Sequence, residues 1–554
     1  MRKSILIILI VIVGIIMSSC CASGGIEKKQ NRHITDIYKD DKDDVMDSGP
    51  VKRGTLKLFS TYPDTLNPIL TKSSFVQSHM RFVFESLYKL DRSQKPVPVL
   101  VDKWEVSPDG LIWTFYMKDN IFWHDNMPFS SEDVEFTMST ILNAAFDSVY
   151  RKNLENVATY ASIDRKTLRI TLRQANSFTA EVMTFPIIPK HYFLGEDMLN
   201  SSRNMKPVGT GPYRFLEYKE RNFIKLLMNE NWWNSKNHKG DTPDFPYIHD
   251  VEIKLYESMR ESINAFQTRD VDTAFIQSGD CGKYSGRSDL SIKKYTSNNF
   301  DFIAFNLSKT VLADKTVRQA IAQAINKAEL IEDVMPGEAI AADIPVIPDT
   351  WLYDTNILYY TPSASKAREL LEKNGWMENG DILYKNINGI NTPLSFEMLV
   401  NDDNDTRCKI ALKISEQLKA AGISLQVRKM PWNEEQRLIA ERKFDMVLIG
   451  STTTSVPDIS FLYSSGGISS GRNIAGYSNP AVDEYLQKLF SENNSSVKKA
   501  LFINMKSIIC DEVPYVGLYF RNNAVLYSKK LRGELSPYVW DVFNDITKWY
   551  IPIG

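Results

Sequence analysis

The chain has 554 residues, 43% hydrophobic and 11% aromatic, with a formal net charge of −2. That length exceeds one hydrophobic core and predicts two or three domains, and the near-neutral charge offers no basic face for a nucleic-acid partner. Cys20, Cys21, Cys281, Cys408 and Cys510 form no C-x-x-C and no cysteine–histidine pairing, and the six histidines no H-x-x-x-H pair. No metal site and no cofactor are expected, and no disulfide framework is legible.

Arg2 and Lys3 precede an apolar run over residues 5–17, and Ser18-Ser19 supplies small residues before Cys20. Charge, apolar core and small residues in that order predict a secretory signal, the run being short for a membrane-spanning helix. The cysteine at the cleavage point resembles the lipobox of bacterial lipoproteins, which implies a signal peptide at 1–19 and a diacylglycerol on Cys20. Met17 replaces the usual Leu, Cys21 is a second candidate, and an uncleaved anchor to Ala22 is the alternative. Each reading holds the body at the cell membrane, on its extracytoplasmic face. Residues 20–53 are polar and mixed in charge and read as a disordered tether, with a span of roughly 30 Å.

The body alternates strand and helix signals. Residues 55–62 predict a strand, followed by a turn at Pro63-Asp64. Val76, Met80, Val83, Phe84 and Leu87 recur at helical spacing and predict a helix of about four turns. Residues 104–106 and 112–117 form a hairpin about Ser107-Pro108-Asp109-Gly110. Ser130 or Ser131 caps a helix whose stripe is Val134, Met138, Ile141 and Leu142. Hairpins are expected at 160–173 and 214–228. Over 394–450 the pattern is strand–helix–strand–helix–strand, which implies a mostly parallel sheet with crossover helices. Ligands of such sheets sit beyond the carboxyl ends of the strands, so the loop 450–458 is the first candidate for ligand contact.

Catalytic readings fare poorly. Gly467-Ile468-Ser469-Ser470-Gly471 matches G-x-S-x-G, but it lies in a Gly/Ser-rich loop instead of between a strand and a helix. A serine hydrolase built on Ser469 stays as an alternative, as does a sensory or structural lipoprotein. Gly209-Thr210-Gly211 lacks a third glycine and is followed by Pro212, so it is no dinucleotide loop. His79, His124, His191, His238 and His249 read as surface or satisfied polar residues, and His33 falls in the tether.

Several segments together resemble the bacterial extracellular solute-binding proteins of family 5, the dipeptide/oligopeptide-binding lipoproteins of ABC importers. They are Thr65-Leu66-Asn67-Pro68, Phe84-Glu85-Ser86-Leu87-Tyr88, the stretch 104–133, Gly209-Thr210-Gly211-Pro212-Tyr213, Asn229-Glu230-Asn231-Trp232-Trp233, and Phe305-Asn306 with Val317-Arg318-Gln319-Ala320-Ile321. Most read as scaffold in preference to ligand contacts. The resemblance implies an α/β, two-lobed periplasmic-binding-protein-like fold of type II, with the extra subdomain of the oligopeptide-binding class. Lobe I is then 54–79, an extra subdomain at 80–190, 191–300 and 512–554, and lobe II is 301–511. It also implies a monomer that captures a small molecule or peptide and hands it to permease subunits.

Peptide-binding members of that family carry G-W-x-A-D-Y-x-x-P after a strand, and its aspartate grips the peptide ammonium. Here the run is Gly450-Ser451-Thr452-Thr453-Thr454-Ser455-Val456-Pro457-Asp458. Thr454 stands at the aspartate position when Gly450 sets the register, and Thr453 when Pro457 does. A neutral hydroxyl does not replace a charge-assisted bond of roughly 1.5–3 kcal/mol. Asp458 is either a substitute or a helix cap, and Trp432 either a pocket wall or core. The expected ligand contacts are Phe75, Gln77, Trp432, Gly450, Ser451, Thr452, Thr454, Asp458 and Tyr519. The expected ligand is a peptide held by its backbone, or one without a free ammonium, such as a blocked peptide or a sugar.

Overall fold

The computed structural model describes residues 49–236, 246–353 and 358–553. The expected signal segment, Cys20, Cys21, His33, His238 and the tether up to residue 48 lie outside the described residues. Three sheets organise the body. The first is ordered Thr55–Thr61, Asp250–Tyr256, Phe223–Met228, Tyr213–Lys219, with its first two strands parallel. The second is antiparallel: Val101–Val106, Ile112–Met117, Thr167–Leu172, Val157–Asp164. Helix Ser131–Leu142 packs on it, its start held by a reciprocal capping box between Ser130 and Asp133. One continuous core joins these two sheets, and the far C-terminal residues Val525, Tyr527, Phe543, Ile546 and Trp549 complete it.

The third sheet runs Thr273–Gln277, Tyr515–Ser528, Leu290–Phe305, Met446–Thr452, Ser395–Asn401, Ser424–Met430, with Ala339–Ala341 beside Tyr515–Ser528. Ser395–Asn401 is parallel to both neighbours, and helices Asp405–Ala420 and Trp432–Ala440 cross between them. Alternate residues of a strand face opposite sides of its sheet. Ile303 and Phe305 join one core while Phe300, Phe302 and Ala304 join another, so this sheet is covered on both faces. That double burial explains the near-continuous apolar run 302–305.

The two longest strands, Leu290–Phe305 and Tyr515–Ser528, pair along most of their length. Their register is interrupted between Thr296 and Phe300 and again between Asp301 and Phe302. Away from these strands, Ser177 N–H donates to the Phe490 carbonyl (2.7 Å) and Lys498 Nζ to the Ser177 carbonyl (3.0 Å). Phe178 is fully buried in the core that also holds Leu489 and Phe502.

Two expectations need correction. The helix predicted through Leu87 stops at Met80, as Ser74–Met80. The carbonyls of Phe82 and Val83 accept instead from the N–H groups of Tyr213 and Gly211, so tertiary hydrogen bonds replace the helical ones and the apolar residues are buried without a helix. His79 is neither at the surface nor satisfied. It is 1% exposed between Phe82 and Phe543, both ring nitrogens lack a partner among the described residues, and burial pushes its pKa down to about 3. Among the described residues no helix is long and apolar enough to cross a membrane, and no disulfide joins Cys281, Cys408 or Cys510.

Candidate ligand site

The strand Met446–Thr452 delivers the loop 450–458 beside a buried charge cluster. Gly450 lies opposite Asp301 on the neighbouring strand, and a Cβ at Gly450 would collide with both the Asp301 carboxylate and the Arg407 guanidinium. Asp301 is 1% exposed. Arg407 donates to its Oδ1 from Nη2 (2.6 Å) and Nε (3.2 Å), and Arg521 to its Oδ2 from Nη2 (3.0 Å) and Nε (3.3 Å). Burying one carboxylate between two forked cations is tolerable because both its oxygens are fully used.

Arg407 sits in the first turn of helix Asp405–Ala420, whose cap Asn404 accepts from the Arg407 N–H. Arg521 and Tyr519 come from the long C-terminal strand, where Tyr519 is paired opposite Asp301. Burial, with the Asp301 charge beside it, holds the Tyr519 phenol above its usual range. Glu435, one turn along from Trp432, is 1% exposed with neither carboxylate oxygen bonded among the described residues. Burial pushes it up to about 7, with Arg407 opposing the shift. Two guanidinium groups therefore face one aspartate and one glutamate that ionises near neutrality. Such a cluster can orient a polar or anionic ligand group, and it holds no nucleophile with an adjacent base.

The residues singled out from sequence fall in different places. Trp432 is 37% exposed and so is not a core residue. Thr452 Oγ1 donates to Asn299 (3.2 Å), and Thr454 Oγ1 donates within its own loop to the Val456 carbonyl (2.9 Å). The carbonyls of Thr454 and Ser455 accept from Gln94 Nε2 at 3.1 and 2.8 Å, tying the loop to the residues that precede the second sheet. Ser451 lies opposite Phe300. Asp458 accepts from the N–H of Ser460, the first residue of helix Ser460–Tyr463. Phe75 packs on Phe59 and Phe275, and Gln77 donates to the Thr71 carbonyl (3.2 Å). The structure thus gathers Gly450 and Tyr519 around Asp301, while Phe75 lies between Phe59 of the first sheet and Phe275 of the third, and Gln77 bonds within its own segment. Ser469 Oγ donates to the Gly466 carbonyl in a run of turns, with neither the strand nor the helix of a nucleophile elbow.

Three sequence motifs converge on one carboxylate. Glu85 accepts from Thr210 Oγ1 (2.8 Å), Trp233 Nε1 (2.7 Å) and Trp232 Nε1 (3.3 Å), and burial raises it to about 7. Arg318 plays a similar part elsewhere, donating to the carbonyls of Leu312, Ala313, Glu512 and Val513.

Residues 95–472 match the middle region of the bacterial extracellular solute-binding proteins, family 5. The chain belongs to that family. The oligopeptide-binding protein AppA of Bacillus subtilis is 24% identical over 506 residues, which is 88% of this chain and 90% of that one. Heme-binding protein A of Haemophilus influenzae is 24% identical over 478 residues, 81% and 84% of the two chains. The substrate-binding protein CtaP of Listeria monocytogenes superimposes with a TM-score of 0.72 at 23% identity, covering 90% of this chain and 99% of that one. The α/β, two-lobed periplasmic-binding-protein fold expected from the motifs is the fold observed. Family membership makes this an extracytoplasmic solute-binding protein.

Proposed function

We propose that this protein captures a peptide-like solute between its lobes and delivers it to the permease of an ABC importer, anchored to the membrane by a lipid on Cys20. Binding and closure do the work, with no bond chemistry. The observation that carries the reading is the loop 450–458 leaving the carboxyl end of its strand against the Asp301–Arg407–Arg521 cluster, the place where open α/β sheets hold ligands. Lobe I is assigned residues 54–79, 80–190 as its extra subdomain, 191–300 and 512–554, and lobe II 301–511. Chain crossings near 300–306 and 514–520 are supported by the interrupted pairing at Phe300 and Phe302. Hinge closure is the motion such an arrangement allows.

The ligand end nearest the loop meets threonine hydroxyls and the Arg407 and Arg521 side chains, with Asp458 engaged at a helix start. An unpaired ammonium is costly to bury there. Calorimetry of one peptide with a free and with an acetylated N-terminus tests this. Acetylation is expected to change affinity by less than about threefold. A preference of about tenfold or more for the free amine is the size of a charge-assisted bond. Seen in the parent protein and kept in Asp458→Asn, it would overturn the reading of this loop.

A further inference from the structure

A cavity of about 300 Å³ lies between residues 81–90 and residues 540–547, touching the loop 450–458 only at Ser455. We infer that it is a second small-molecule site, taking a compact aromatic carboxylate of one or two rings. A dry cavity of about 150 Å³ holds a benzene ring, so this one has room for a bicyclic acid. Its walls are aromatic: Phe82, Phe84, Trp232, Trp233, Trp540 and Phe543. Trp540 contributes an unused donor, because its buried Nε1–H has no acceptor among the described residues. An orphaned buried N–H of that kind is a standing cost that a ligand oxygen removes.

Charge selects the acid. The lining acids are already engaged: Glu85 by Thr210 and both tryptophans, Asp541 by the Phe543 N–H (3.1 Å), Asp545 by Asn544 Nδ2 (2.9 Å). Arg81 and Lys89 are exposed and line the same space, which puts them at its mouth. Arg81 has spent one donor on the Trp540 carbonyl, and Arg81 and Lys89 both offset the charge of the lining Asp541, while among the described residues no side-chain hydrogen bond or ion pair holds the Lys89 ammonium. An anion there meets cations at the rim and aromatic faces within, the pattern of a small-ligand pocket. None of the Asp301, Arg407 and Arg521 cluster lines this space, so the site is separate from the proposed cleft.

The probe is naphthalene-2-carboxylate, compared with its neutral amide, added to the full chain and followed by tryptophan quenching and calorimetry. One-to-one saturation with a Kd of about 100 μM or tighter is expected for a ligand of this size. The amide should bind about tenfold more weakly. Lys89→Gln should weaken the acid about fivefold and leave the amide unchanged, and Trp540→Phe should weaken both while keeping the fold by thermal melting. The proposal is overturned by no saturable binding at about 1 mM, or by equal affinity for acid and amide. It is equally overturned if Lys89→Gln and Trp540→Phe leave binding intact, or if Arg407→Gln abolishes it, since the compound would then sit in the cleft.

Discussion

Glu181→Gln probes the contact that carries Phe178 into the core it shares with Leu489 and Phe502. Glu181 is 3% exposed on the short helix Thr179–Val182, and its Oε2 has no partner among the described residues. Burial raises its pKa from 4.5 to about 7, against a partial offset from Lys498. The folded state therefore keeps a proton that the unfolded chain sheds between about pH 4.5 and 7. The stability contributed by that proton is complete below the unfolded value and is lost as pH rises through 7. About two and a half pH units at ~1.36 kcal/mol each give a swing of about 3 kcal/mol. Glutamine keeps the shape and cannot ionise. In urea denaturation followed by fluorescence, the variant is expected to match the parent protein near pH 4 and to exceed it by about 3 kcal/mol at pH 8. Glu85 and Glu435 titrate in both proteins, so their effects cancel in the difference. A difference that stays flat from pH 5 to 8 would refute the argument that a neutral acid is built into this contact.

Asp301→Asn strips the shared counter-charge from Arg407 and Arg521 and should cost about 3–5 kcal/mol in chemical denaturation; a cost below about 1 kcal/mol would show the clamp contributes little to folding. Phe178→Ala empties a buried ring site, with an expected loss of about 3–5 kcal/mol and a larger radius of gyration in ligand-free scattering; an unchanged radius would mean the ring does not hold the lobes together. Cys20→Ser should release the protein into the medium or leave its precursor unprocessed, and unchanged membrane retention would move the anchor to Cys21 or to an uncleaved segment.

Periodicity served well where local and tertiary preferences agree. Across 394–450 the predicted strands and helices match the observed ones to within about three residues, because each crossover helix buries one stripe and ends at a turn such as Gly422. It misled at 81–87, where the apolar spacing is real but the carbonyls of Phe82 and Val83 are taken by the Gly209–Tyr213 backbone, a partner far along the chain. The residues of the loop 450–458 were visible as a departure from a motif. Asp301, Arg407, Arg521 and Glu435 were not, because they are brought together from four separate elements. One signal was available: a lone acid inside the apolar run 300–305 has to find a cation once both faces of its strand are buried. The orphaned donor on Trp540 left no such trace, since its exposure depends on how the C-terminal segment lies over the residues near Phe84.

The long C-terminal strand also bears on biosynthesis. Val516, Leu518 and Tyr519 fill the core that holds Ile303 and Phe305, while Val525, Tyr527, Phe543 and Trp549 fill the one that joins the first two sheets. Among the described residues, strand Thr273–Gln277 finds its only sheet neighbour there as well. A nascent chain halted before residue 515 has both interiors open, however much of its length has emerged. Neither half can mature ahead of the other, so truncation from the C-terminal end should yield protease-sensitive fragments instead of an isolated lobe.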